Sequence, residues 1–92
     1  MSVKGPLRKD GISSKRLGEE WILYDAEKGS IHIINAMAEF VWKMCDGSHS
    51  LDEIEKDVKD VYQIPEGADL SRDLESIIQS FASMGLLVSQ GG

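Results

Sequence analysis

The sequence predicts an α+β domain of winged helix-turn-helix type, with an N-terminal antiparallel sheet of two or three strands followed by three helices. Three observations carry this reading. The pattern changes from strand-like to helix-like at Asn35. Two helix starts, at Asn35 and Ser50, carry capping residues. The joins between elements are short.

Residues 1–11, with Gly5, Pro6, Gly11, Lys4, Arg8 and Lys9, are expected to form a flexible arm, leaving 12–90 as a single domain. Ile12 to Leu17 is a weakly patterned first strand. Glu20 to Asp25 is a stronger one, because Trp21, Ile22, Leu23 and Tyr24 are good strand formers. Glu27-Lys28-Gly29 reads as a tight turn with Gly29 at positive φ, so Ser30 to Ile34 returns as the partner of a hairpin.

Asn35 then caps a helix from about Ala36 to Met44. Met37, Phe40, Val41 and Met44 form one stripe, and Ala38, Trp42 and Cys45 a second. Only Glu39 and Lys43 interrupt them, so this helix should be buried on several sides. Asp46-Gly47 is its exit. Ser50 with Glu53 fits a capping box for the second helix. Its apolar stripe is Leu51, Ile54, Val58 and Val61, and Asp52, Glu55, Lys56, Asp57, Lys59 and Asp60 form a solvated face. Gln63 to Gly67 is a loop. The third helix is expected from Asp69 or Leu70 to Met84, with Leu70, Leu74, Ile77, Ile78 and Phe81 inward and Gly85 as its end. Leu86-Leu87-Val88 should fold back onto the core.

Bulk properties narrow the function classes. The 92 residues suffice for one small domain, and 41% hydrophobic residues allow a core. A net charge of −6 and a pI near 4.7 argue against a nucleic-acid surface and a polybasic membrane contact. The single cysteine, Cys45, excludes an internal disulfide and gives no zinc set. There is no signal-like apolar run and no stretch long enough to span a membrane, so a soluble cytoplasmic protein is expected.

No catalytic constellation is legible, and the expectation is that the chain is not an enzyme and needs no cofactor or metal. His49 lies between two serines and reads as a solvated turn residue. His32 lies in a strand, where a structural or surface role is the default. Cys45 ends an apolar helix, where a small buried role is commoner than nucleophilic chemistry. Asp69 and Asp73 sit one turn apart and suit the N-terminal end of a helix. No glycine spacing makes a phosphate loop. A DNA-reading helix should present basic and amide side chains. Outside its core stripe the third helix offers Ser71, Arg72, Asp73, Glu75, Ser76, Gln79, Ser80 and Ser83, a net acidic set. A winged-helix DNA-binding or generic interaction domain is therefore the second reading.

The third strand directs attention to peptide binding. If the sheet order is one, two, three, Ser30-Ile31-His32-Ile33-Ile34 has a free edge without a Lys or Pro to guard it. Either the third helix or a dimer mate covers it, or an extended peptide adds to it as a strand.

The order Ile34-Asn35, Ala38, Trp42, Asp46-Gly47, Leu51-Asp52-Glu53-Ile54, Asp73-Leu74 and Gly85-Leu86-Leu87 resembles the PqqD-like family, the peptide chaperones that carry the recognition element for ribosomally made precursor peptides. The resemblance spans about Trp21 to Val88. It implies a winged-helix-like domain that takes the leader segment of a precursor peptide as a strand beside strand three, against helix three, and presents it to a modifying enzyme, often a radical SAM protein. The strand positions carried over are Ser30, Ile31, His32, Ile33 and Ile34, and one flank of helix three is Asp73, Ile77, Ser80 and Met84. The resemblance leaves open whether the pathway is that of pyrroloquinoline quinone (PQQ biosynthesis) or another peptide-modification cluster, and whether the chain forms a homodimer.

Overall fold

A three-stranded meander leads directly into three helices. The computed structural model describes residues 5–65 and 67–88. Its elements are β1 (Ile12–Leu17), β2 (Glu20–Asp25), β3 (Ser30–Asn35), α1 (Ala36–Met44), α2 (Leu51–Tyr62) and α3 (Ser71–Ser83). Strand order is β1-β2-β3, antiparallel throughout.

Local chemistry accounts for the joins. Gly18, at φ +63°, turns the first hairpin so that Leu17 pairs with Glu20. In the second, Oδ1 of Asp25 accepts from the amides of Glu27 (3.0 Å) and Lys28 (3.2 Å), and Gly29 closes the turn at φ +67°. Asn35 both ends β3 and caps α1, with Oδ1 accepting from the Ala38 amide at 2.7 Å. The capping box of Ser50 and Glu53 is complete. α3 begins at Ser71, later than the sequence predicts. Asp69 accepts from the Ser71 amide (3.0 Å) and hydroxyl (2.6 Å), a local turn that precedes the helix and holds its carboxyl below the usual range. The helix ends at Ser83, and Gly85 at φ +74° redirects the chain.

The helices cover one face of the sheet. α1 packs on β2, β3 and α2, and the principal backbone partner of α3 is α2. Leu23, Val41, Trp42, Cys45, Ile54, Val58, Leu74, Phe81 and Leu86 form the buried core with Ile34. Of the stretch expected to fold back, Leu86 is fully buried and Leu87 packs against the core, whereas Val88 is exposed.

Two parts of the predicted pattern are corrected. Val61 and Leu51 are exposed, because the fully buried side chains of α2 are Ile54 and Val58 in its middle turns. Its charged face is not uniformly solvated either. Glu55 is half-buried, accepts from the Leu70 amide at 3.1 Å and pairs with Lys59 at 3.3 Å, tying α2 to the entry of α3. Glu39, one of the two interruptions in α1, is only 5% exposed. Its Oε2 lies 3.1 Å from Lys43 Nζ, off-line for a hydrogen bond, and that ammonium sits 5.0 Å from the Trp21 ring centroid.

Within the stretch expected as an arm, residues 1–4 lie outside the described residues, and the rest is bonded to the domain. Leu7 and Arg8 bridge to Asp46 and Leu87 respectively. Gly47 donates to the Pro6 carbonyl, Arg8 to Cys45, Lys9 to Leu86 and Val88 to Leu7. The Arg8 guanidinium lies 5.4 Å from the Trp42 ring centroid and donates to the Lys43 carbonyl. Lys9 reaches the buried Asp25 at 3.3 Å. Burial disfavours the Asp25 carboxylate, but the Lys28 amide, Lys9 and the Glu27 amide outweigh this and hold its pKa down.

Candidate functional site

β3 is an edge strand because the meander stops at three strands. Among the described residues no other backbone segment pairs with its outer edge. Strand alternation divides its side chains. Ser30, His32 and Ile34 face the helices, opposite Asp25, Leu23 and Trp21; Ile31 and Ile33 face outward, opposite Tyr24 and Ile22. Ile34 is 8% exposed, whereas Ile31 and Ile33 are 62% and 60% exposed. His32 is half-buried, and its Nε2 is enclosed without a hydrogen-bond partner.

Of the four residues taken for the flank, Asp73, Ile77 and Ser80 recur at helical spacing and so share one side of α3, and Met84 is the C-cap residue that follows it. Asp73 and Ser80 are exposed, while Ile77 and Met84 are half-buried and pack against the core. The end of the Lys28 side chain lies against Gly85, so the β2–β3 turn reaches the chain just past the end of α3. An ammonium also complements the negative end of the helix dipole there. From Met84 back to Asp73 is roughly 16 Å along a helix, and the six residues of β3 span about 17 Å. Strand edge and helix flank are matched in length.

Reading the sequence missed two things here. Lys28 passed as a turn residue, since its approach to Gly85 is a tertiary contact without a local pattern. The exposure of Ile31 and Ile33 was also unread, because strand alternation does not say which face the helices will cover.

The remaining reactive groups stand apart from this edge. Cys45 is fully buried, its Sγ lies 3.2 Å from the Val41 carbonyl, and burial raises its pKa to about 12, so the thiolate needed for nucleophilic chemistry is suppressed. His49 is half-buried, not freely solvated: Nδ1 lies 2.9 Å from Asp46 Oδ1, which raises the imidazole's pKa. Asp46 in turn is held well below the usual range, chiefly by bonds from the Ser48 hydroxyl and amide and from His49. A polar cleft of about 250 Å³ lies between Leu7–Ile12, Trp42 and Asp46. Among the described residues no group of three or more His, Cys, Asp or Glu is placed to hold a metal, and no helix is long and apolar enough to cross a membrane.

The architecture is that of a small strand-and-helix domain with one uncharged, open edge. The family model for coenzyme PQQ synthesis protein D (PqqD) matches residues 20–87, from β2 to the C-terminal tail. The chain belongs to the PqqD family. The fold is similar to that of a solved structure described as TbiB1 in complex with the TbiA(beta) leader peptide, with a TM-score of 0.64, 18% identity, and coverage of 94% of this chain and 96% of that one. No curated protein matches the chain.

Proposed function

We propose that this protein binds the leader segment of a ribosomally synthesised precursor peptide, which adds as a strand to Ser30–Ile34 and rests on the side of α3 marked by Asp73, Ile77, Ser80 and the C-cap Met84. The observation that carries the reading is an edge strand without charge or proline in a member of the PqqD family. Strand addition supplies partners for the free amides and carbonyls of β3, and the alternating side chains supply selectivity. That the solved neighbour of the same fold is described in complex with a leader peptide supports it.

In this reading the protein does no chemistry itself. It holds the leader so that the rest of the precursor reaches a modifying enzyme, of radical SAM or similar type, in pyrroloquinoline quinone or related peptide biosynthesis. The acidic composition fits a peptide partner better than DNA, since the exposed positions of α3 include Asp73 and Glu75 against Arg72 alone.

The test is calorimetric titration with the leader of any precursor peptide found encoded near this gene, using wild type and Asp73→Lys. Asp73 is exposed, so the variant should melt cooperatively with stability changed by no more than about 0.5 kcal/mol. Its affinity should fall for a leader with a basic residue near this position. Leader-induced amide shifts that cluster on α2, or a neighbouring leader that does not bind at all, would remove the reading.

A further inference from the structure

We propose that the peptides this edge accepts carry two apolar side chains, aromatic or β-branched, two residues apart, and that these cover Ile31 and Ile33 on the face of the sheet away from the helices. The inference rests on the strand-addition reading and adds to it the class of peptide selected.

The outer face of the sheet is uneven. Ile31 pairs with Tyr24 and Ile33 with Ile22, so four apolar side chains form one block at the β3 side. Ile31, Ile33 and Tyr24 are 62%, 60% and 41% exposed. On β1 the same rows continue with Ser13, opposite Tyr24, and Lys15, opposite Ile22. In these two rows polarity rises from β3 to β1, while the remaining outer-face row runs from the 59% exposed Leu17 on β1 through Glu20 to Asn35; of the two edge strands, β3 is the one that carries adjacent exposed apolar residues on this face. Single exposed isoleucines are ordinary, whereas a contiguous patch marks a contact surface.

A strand added beside β3 places residues directly opposite Ile31 and Ile33. Strand alternation requires those residues to be two apart and on the outer face. Isoleucine pairs across strands best with aromatic and β-branched partners. The peptide residue between them faces the helix side, opposite His32, whose enclosed Nε2 has no partner. A second copy of this chain would offer a similar alternation if β3 paired with itself about His32. Each copy carries a net charge of −6, however, so self-pairing joins two like-charged bodies, and a short peptide avoids that repulsion.

The experiment selects binders to the full chain from a displayed library of short random peptides, then titrates the enriched peptides against wild type and the double variant Ile31→Thr, Ile33→Thr. Threonine keeps strand propensity at exposed positions. The expected result is enrichment of apolar residues at i and i+2, amide shifts along Ser30–Asn35, and affinity about tenfold weaker for the double variant. Replacing the peptide's own i and i+2 residues with serine should cost the same, a comparison that needs no change to the protein's fold. Peptides that shift β3 but tolerate both sets of substitutions overturn this inference and leave strand addition standing. Failure of every peptide to perturb β3, or a concentration-dependent dimer that buries Ile31 and Ile33, overturns it as well, and the first of these also removes the strand-addition reading.

Discussion

The segment Leu7–Lys9 and strand β3 treat their backbones in opposite ways. Leu7–Lys9 threads between Cys45–Gly47 and Leu86–Val88, and both neighbours bond to it. β3 bonds on one side to β2 and on the other to no described segment. The first arrangement uses residues 6–9 and 86–88 to satisfy peptide groups close to the buried Trp42 and Cys45. The second leaves a template open at the surface. The difference separates what holds this small domain together from what it offers to a partner. Substitutions at the clasp should lower stability with binding intact, and substitutions at the edge should do the reverse.

The largest expected effect is at the clasp. Leu86 is fully buried, and Leu86→Ala should destabilise the domain by about 2–5 kcal/mol, read from urea unfolding, because the site cannot fully collapse around the lost methyl groups. Leader affinity of the fraction that stays folded should not change. Gly85→Ala tests the join between the two regions. A Cβ there meets the Lys28 ammonium, and φ is +74°, so a loss of about 1–2 kcal/mol is expected in the same assay. Arg8→Ala removes the stacking on Trp42 and the bond to the Lys43 carbonyl, with an expected loss of about 1–2 kcal/mol and no change in peptide binding. If Arg8→Ala weakened the leader more than Ile31→Thr, Ile33→Thr, the division of labour would be wrong.

The smallest effect concerns pH. Asp46 raises the pKa of His49, so the stability this histidine contributes is complete below about pH 6.5 and is lost as pH rises through its raised folded value. Asp46 is lowered, so its contribution is present above about pH 3.9 and is lost as pH falls. The pair is most favourable between those limits. Melting temperatures measured from about pH 5 to 8 should decline slightly in wild type, and His49→Ala should flatten that decline.

The elements were largely legible in the sequence because their boundaries are chemical and local. Asn35, Ser50 with Glu53, Gly29 and Gly85 each act within a few residues, and each sits where the pattern placed it. The interactions that were not legible join distant segments. Glu55 serves the Leu70 amide, Lys9 reaches Asp25, and Arg8 stacks on Trp42, without any spacing rule to announce them. Glu39 shows the limit of periodicity: a carboxylate in an apolar stripe read as an interruption, yet it is buried beside Lys43. For the candidate site, the missing edge guards of β3 were visible in its composition. The apolar block with Tyr24 and Ile22 required the register.

Amide hydrogen exchange with and without the leader of a precursor peptide found encoded near the gene addresses the open edge most directly. Leader should slow exchange at the β3 amides that point away from β2, within Ser30–Asn35, and leave the Arg8 and Lys9 amides unchanged because they already donate to Cys45 and Leu86. Protection confined to α2 or to the clasp, with β3 exchanging as fast as in the free protein, would contradict it.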